Sequence, residues 1–285
     1  MRTGRTFAAI ILSNRRPHDV NTLQTLRDAG YTGRIILLVD NEDPTAPIYC
    51  EKFGVDNVII FDKEAAAKSV DTGDNSPERR SVVYARNVSF KIAADLGLDY
   101  FIQLDDDYSA FQYRYKSKGI LAYTPVLSMD AVFDAMLDFL DDSGVLTVAF
   151  SQGGDHLGGA STFDKLKVKR KAMNSFFFKT TNVLEFVGRI NEDVNTYVAQ
   201  GARGSLFLTF LRLQLVQRKT QYTPGGLSEV YLDEGTYVKS FFTVLMAPSC
   251  TKIVMMGQTH KRLHHKIMWN NAVPKIIAPM YCKAV

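Results

Sequence analysis

The apolar positions of the first hundred residues fall into short unbroken runs, with segments of helical spacing between them. "TFAAIIL", "GRIILLVD", "NVIIF" and "YFIQL" each read as a buried strand. "DVNTLQTLRDAG" places Leu23 and Leu26 at helical spacing and stops at Gly30. "PIYCEKFG" predicts a short helix, and "VVYARNVSFKIAADLG" a longer one ending at Gly97. The polar stretch "DTGDNSPERRS" between them predicts a loop. Strands without polar alternation, separated by helices, predict a mostly parallel sheet covered on both faces.

The later pattern is less regular. "SMDAVFDAMLDFLDDSG" is amphipathic at helical period, with Ser128 placed to cap it. "VLTVAFS", "SFFFKT", "SLFLTFLRLQLVQ" and "TKIVMM" predict strands, and "EDVNTYVAQG" and "SEVYLDEGTYVKSFFTVLM" predict helices. "QGGDHLGGAS" is a Gly-rich loop, and "KLKVKRK" reads as an edge strand with lysines on one face. No repeat or linker divides the chain. The expectation is one α/β domain over residues 1–285, a mostly parallel central sheet flanked by helices with a mixed C-terminal half.

Composition adds bounds. The 285 residues are 46% hydrophobic and 22% charged, ordinary for a globular protein. The longest apolar runs fall well short of the roughly 20 residues a spanning helix needs. The opening "MRTGRTFAAIILSNRRP" has too short an apolar part, and too poor a cleavage site, for a signal peptide. Three scattered cysteines argue for a reducing compartment, hence a cytoplasmic protein without a membrane partner. A net charge of +4 permits a polyanionic partner.

The chemistry concentrates where the early strands end, since open parallel sheets bind ligands at their carboxyl ends. The first strand ends in Ser13, Asn14 and Arg15, the second in Asp40, and the fourth in Asp105, Asp106 and Asp107. No Gly-rich phosphate cradle follows any of them. Adjacent carboxylates repel and raise one another's pKa unless a cation is expected. A hard divalent ion, Mg²⁺ or Mn²⁺, fits, held by a few carboxylates and substrate phosphates. The bland alternative is that the three aspartates cap a turn. Arg86 could grip a diphosphate or be an ordinary helix arginine, and Asn87 beside it could bond a nucleoside or cap a turn. Glu192 and Asp193 open a helix, a position acids favour for dipole reasons alone. His260, His264 and His265 are three of five histidines and could supply a metal ligand. Lys165, Lys167, Lys169, Arg170 and Lys171 could neutralise a nucleic-acid backbone or simply protect a sheet edge.

Taken in order, the strand-helix first half, "ARN" opening a helix, the strand running into "DDD" and the later "ED" helix resemble a GT-A fold glycosyltransferase. "LDDDYSAFQYR", "GRINEDVNTYV" and "EGTYVKSFF" resemble the TET/JBP-associated glycosyltransferases, many of them phage-encoded. The resemblance implies a nucleotide-sugar donor, a UDP-sugar, bound by residues 1–110. Ser13, Asn14, Arg15, Asp40, Arg86, Asp105 and Asp106 would touch that donor. Asp105 and Asp107 would hold Mn²⁺ or Mg²⁺, with His265 or His264 completing the site. Residues 111–285 would bind double-stranded DNA carrying hydroxymethylated pyrimidines. Asp193 or Glu192 would be the base that accepts the acceptor proton, Asp193 preferred, and the protein would work in the host cytoplasm if phage-encoded. A glycan or small-molecule acceptor is the enzyme alternative. A DNA-binding module with a structural acid cluster is the other class.

Overall fold

The computed structural model describes residues 4–163, 171–218, 230, 235, 237–256, 261–273 and 278–282. The four apolar runs form β1 (Phe7–Leu12), β2 (Arg34–Asp40), β3 (Val58–Phe61) and β4 (Tyr100–Asp105), all mutually parallel. Between them lie α1 (Asn21–Asp28), α2 (Ala46–Phe53), α3 (Lys63–Ala67) and α4 (Val83–Asp95). The chain continues through β5 (Tyr108–Ser117), β6 (Ile120–Pro125), α5 (Met129–Ser143), β7 (Thr147–Ser151), α6 (Ala160–Phe163), β8 (Ser175–Lys179), α7 (Glu192–Ala202) and β9 (Phe207–Gln217). One continuous sheet carries β1 to β9, in the order β3-β2-β1-β4-β8-β7-β9-β5-β6.

β1, β2 and β4 are buried on both faces, which is why they show no alternation, while the edge strand β3 leaves Ile60 exposed. In β1, Phe7, Ala9 and Ile11 enter one apolar layer with α5, while Ala8, Ile10 and Leu12 enter the other with α4 and α7. Both layers are aromatic. Phe133 and Phe177 meet at 5.3 Å in one, Phe90 and Phe178 at 4.7 Å in the other.

The expectation of a mostly parallel sheet needs correction. Only β1–β2, β1–β4, β2–β3 and β7–β9 pair parallel; β4–β8, β7–β8, β5–β9 and β5–β6 are antiparallel. β8 misleads because "SFFFK" is buried on both faces like a parallel strand, yet it runs against β4. The β5–β6 hairpin has no counterpart in the sequence reading. Its turn is Lys118-Gly119, both at positive φ, without the Asn-Gly or Asp-Gly that usually announces such a turn.

"TKIVMM" forms β10 (Thr251–Met256), but in a separate two-stranded sheet with β11 (Arg262–Ile267), the strand that carries the histidine pair. Of the long C-terminal helix expected, α8 (Tyr237–Met246) is described, and α9 (Trp269–Ala272) follows β11. The basic run survives in description only at Lys171. Lys165, Lys167, Lys169 and Arg170 lie outside the described residues, as does His260.

Strand order reverses between β1 and β4, so their carboxyl ends open a crevice at the switch point. At the opposite, amino-terminal end of the strands, the turn after α1 packs against the entry to α5, where the Met129 N–H donates to the Ala29 carbonyl. Gly30 sits at φ +85°, and a Cβ there would lie 2.5 Å from the Leu127 carbonyl oxygen. Gly30→Ala should therefore cost about 1–3 kcal/mol, read as a lower thermal midpoint. An unchanged midpoint would mean the loop yields freely.

Candidate functional site

A cleft of about 980 Å³ lies over the ends of β1, β2 and β4 and is closed on its far side by α7, α8 and β11. The three aspartates do not share one role. Asp106 points back under the β1 loop, where its carboxylate accepts the Ser13 hydroxyl at 2.6 Å and the Arg16 guanidinium at 3.1 Å. Tyr49 OH meets Ser13 Oγ at 2.7 Å and accepts the Arg16 backbone N–H at 2.8 Å, fixing the loop further. Asp106 thus holds β1 against β4 through these bonds while also lining the cleft.

Asp105 and Asp107 face the cleft instead. Asp105 Oδ1 accepts Arg86 Nη2 at 2.9 Å, while 24% of its side chain stays exposed. Among the described residues the Asp107 carboxylate accepts only Gln217 Nε2, at 3.1 Å to each oxygen, and Asn174 donates to Gln217 Oε1 at 2.9 Å behind it. Burial raises the Asp105 pKa to about 6, opposed by Arg86 and assisted by the charges of Glu192 and Asp106. Asp107 rises to about 7 through burial and then the charges of Asp105 and Asp106.

Arg86 is buried, 1% exposed, and forks between two acids. Its Nε donates to Glu192 Oε1 at 2.7 Å and its Nη2 to Asp105. The rings of Phe176 and Phe186 lie 5.0 and 5.7 Å from the guanidinium carbon. Gln103, buried in β4, donates to the Arg86 carbonyl at 2.9 Å and locks α4 to the strand. Two of its nitrogens are engaged by acids, and Nη1 is buried without a partner among the described residues. Asn87 faces away, exchanging hydrogen bonds with the Phe186 backbone.

Glu192 and Asp193 reach the cleft because Asn191 takes a left-handed turn, φ 54°, before α7. Its amide donates to the Lys239 carbonyl and to Thr243 Oγ1, tying that turn to α8. Asp193 is 7% exposed and, among the described residues, accepts only the neighbouring Val194 N–H. Burial, then the Glu192 charge, raises its pKa. One helical turn on, Tyr197 stacks face to face on Trp269, centroids 5.7 Å apart and planes 6° apart. Trp269, the chain's single tryptophan, remains 39% exposed in the cleft lining.

The other expected residues divide. Asn14 and Asp40 line the cleft, Asn14 Nδ2 donating to Asp40 at 2.8 Å, and the buried Lys63 ammonium adds 3.3 Å to the same oxygen. Arg15 does not join them. Its backbone N–H bonds Asp43 and its side chain borders a smaller, 310 Å³ recess, while Arg16 takes the place expected for it. Lys171 lines the cleft paired to Asp155 at 2.7 Å, rather than standing on an open edge. Arg16, Lys63, Gln217, Lys239 and Trp269 escaped the sequence reading. Arg16 adjoins "SNR" and was within reach; Gln217 meets Asp107 from 110 positions away and left no local signal.

Two hard-oxygen carboxylates held above their ordinary pKa suit a divalent cation that keeps water or phosphate ligands. Among the described residues no three of Asp, Glu, His and Cys converge on one point, so such an ion would need ligands from a substrate. His264 and His265 line the same cleft from β11. Burial, then His264 and Lys239, lowers the His265 pKa to about 4, which keeps its imidazole neutral, and its Nδ1 is buried without a partner among the described residues.

The cleft thus gathers carboxylates, guanidinium and ammonium groups at the switch point of an α/β sheet, where such folds bind ligands. The model of the TET-associated glycosyltransferase family matches residues 7–226, and the chain belongs to that family. It is a glycosyltransferase. No curated protein matches it. Among solved structures it is similar to glucosyl-3-phosphoglycerate synthase from Mycobacterium tuberculosis in complex with Mn²⁺, UDP and phosphoglyceric acid. That likeness has 10% identity and a TM-score of 0.47 over 93% of this chain and 87% of the other. The mannosyltransferase PcManGT from Pyrobaculum calidifontis, with GDP-Man and Mn²⁺, gives 12%, 0.48, 86% and 74%. S. aureus TarS 1-349, with UDP-GlcNAc, gives 12%, 0.41, 75% and 59%. No described helix is long and apolar enough to cross a membrane.

The raised carboxylates fix the sign of a pH effect. Asp105, Asp107 and Asp193 all sit above their ordinary value, so their stability is complete below about pH 4 and lost as pH rises through 6 to 7. The metal-free protein should show a falling thermal midpoint over that window, and Mn²⁺ should raise it more at pH 7.5 than at pH 5. Asp107→Asn should flatten both responses. Superimposable wild-type and variant profiles would exclude Asp107 as their source.

Proposed function

We propose that the chain moves a sugar from a UDP-sugar, held against Asp105 and Asp107 with Mn²⁺ or Mg²⁺, to the hydroxymethyl group of a 5-hydroxymethylpyrimidine in duplex DNA. The observation that carries this reading is one cleft lined by Asp105 and Asp107 and by a separate, weakly bonded buried carboxylate, Asp193, whose neighbour Glu192 is tied to Asp105 through Arg86. The family description supports the transfer chemistry, and the resemblance to enzymes proposed to modify hydroxymethylated pyrimidines supports the acceptor.

When bound, the cation would neutralise charge on the departing diphosphate. The rest of the work falls to the chain. Asn14 and Asp40 stand where a nucleoside would lie, at the end of β2. Glu192, committed to Arg86, holds the guanidinium and through it Asp105. Asp193, poorly stabilised as an anion, is the better base; it takes the acceptor hydroxyl proton as that oxygen bonds to the sugar C1 and the C1–phosphate bond breaks. Trp269, backed by Tyr197, offers a flat face beside it, suited to a base turned out of the stack. Residues 1–110 supply the donor side and 111–285 the acceptor side.

Donor hydrolysis with Mn²⁺, and sugar transfer to hydroxymethylated against unmodified DNA, test the reading. Chelation and Asp107→Ala should each abolish turnover. Asp193→Asn should lower kcat by about 10²-fold or more with little change in donor Kd, whereas Glu192→Gln should also lower the thermal midpoint, because it strands Arg86. Wild-type rates in Asp193→Asn would remove it from the mechanism. Trp269→Ala should raise the KM for DNA more than it lowers kcat. Transfer only to glycans or small alcohols would leave a glycosyltransferase with another acceptor.

A further inference from the structure

The sheet's far edge carries an unusual charge pattern. Residues 108–128 and 205–218, which build β5, β6 and β9, contain no aspartate or glutamate, although the chain has 30. They contain Arg114, Lys116, Lys118, Arg212 and Arg218. Lysines on an edge strand commonly serve only to block aggregation. That explanation fails here for the arginines, because the edge strand β6 carries no charge at all and both arginines lie on the strands inside it.

Arg114 and Arg212 are also held in a particular way. The Arg114 guanidinium lies over Tyr123 at 5.6 Å, and Arg212 over Phe163 of α6 at 5.7 Å. Neither has a hydrogen-bond or ion-pair partner among the described residues, and Arg114 Nε is buried without one. An arginine stacked on a ring keeps its outward N–H groups aligned for a phosphate while giving up little rotamer freedom. Registry puts them on the cleft side of the sheet. Gln112 and Gln214 are paired neighbours, Gln214 lies against Gly153, and the loop from there lines the cleft through Gly154 and Leu157.

We infer that the β9-β5-β6 face is the track for the DNA backbone, with Arg114 and Arg212 as its phosphate contacts. The inference rests on DNA being the acceptor. β5 starts directly after Asp107, so Arg114 lies roughly 20 Å from the carboxylates by the rise of a strand. That spans about six nucleotides of one strand at its phosphate spacing. A target base in the cleft would thus have its flanking backbone over this face. Duplex DNA fits better than a protein partner because the charge is of one sign and carried by outward guanidinium groups.

The test compares wild type, Arg114→Gln, Arg212→Gln and the double variant on hydroxymethylated duplex, by salt titration of Kd and by KM and kcat, with thermal midpoints as the folding control. Each lost phosphate contact should flatten the slope of log K against log salt by about 0.9, and KM for DNA should rise while kcat holds. Arg114→Lys should restore part of the affinity. Should Arg114→Gln not fold, the exposed Arg212→Gln carries the comparison alone. Transfer to DNA with unchanged KM and slope in the variants would overturn the surface and leave the acceptor standing. A wild type that neither binds nor modifies DNA, yet transfers to another acceptor, would overturn both.

Discussion

The buried guanidinium of Arg86 is the joint on which the site depends. It comes from α4, yet its two bonds reach Asp105 at the end of β4 and Glu192 at the start of α7. A buried charge with one partner removed costs about 3–5 kcal/mol, so neither acid can move without the other. Aromatic rings from β8 and the segment after it wall the cation in. The proposed donor side and acceptor side are therefore held at a fixed separation by one residue that need touch neither substrate.

The remaining charges follow a simple division. Asp106 is answered by Arg16, Asp40 by Lys63 and Asp155 by Lys171. Arg86 answers Asp105 and Glu192 together with a single positive charge. Asp107 and Asp193 have no ion-pair partner among the described residues, and both are held above their ordinary pKa. A cleft so arranged is incomplete by itself. In the proposed transfer, one surplus carboxylate would hold the cation at the diphosphate and the other would take the hydroxyl proton, so that two unpaired acids serve two ends of one reaction.

Much of this could be read from the chain. The apolar runs placed β1, β2, β3, β4 and β7, and their polar ends located the cleft, because burial on both faces and a switch point leave plain marks in sequence. The value of "ED" after "GRIN" rested on its order relative to "DDD". What the sequence hid was pairing. A doubly buried antiparallel strand such as "SFFFK" looks like a parallel one, and a Lys-Gly turn does not advertise a hairpin. Side-chain partners hid too. Nothing in "DDD" says that the middle residue turns inward, nor that Arg16 rather than Arg15 will face the cleft. The first follows from strand alternation only once the strand end is known, and the second from the left-handed φ of Arg15, which rotates the loop by one residue.

The antiparallel half is more than a cover for the core. β5 leaves the last aspartate without a loop between them, and β9 returns to it through Gln217. Asn174 braces Gln217 from just before β8, and the Tyr108 hydroxyl reaches the Asn174 carbonyl. The carboxylate proposed to hold the cation is thus continuous, through paired strands, with the face proposed to carry the acceptor's backbone. A hydrogen-bonded sheet resists sliding, since a shift of one residue would turn every side chain to the opposite face. Registration of the proposed polymer acceptor against the donor site would then follow from the sheet itself, through the register of β5 on β9.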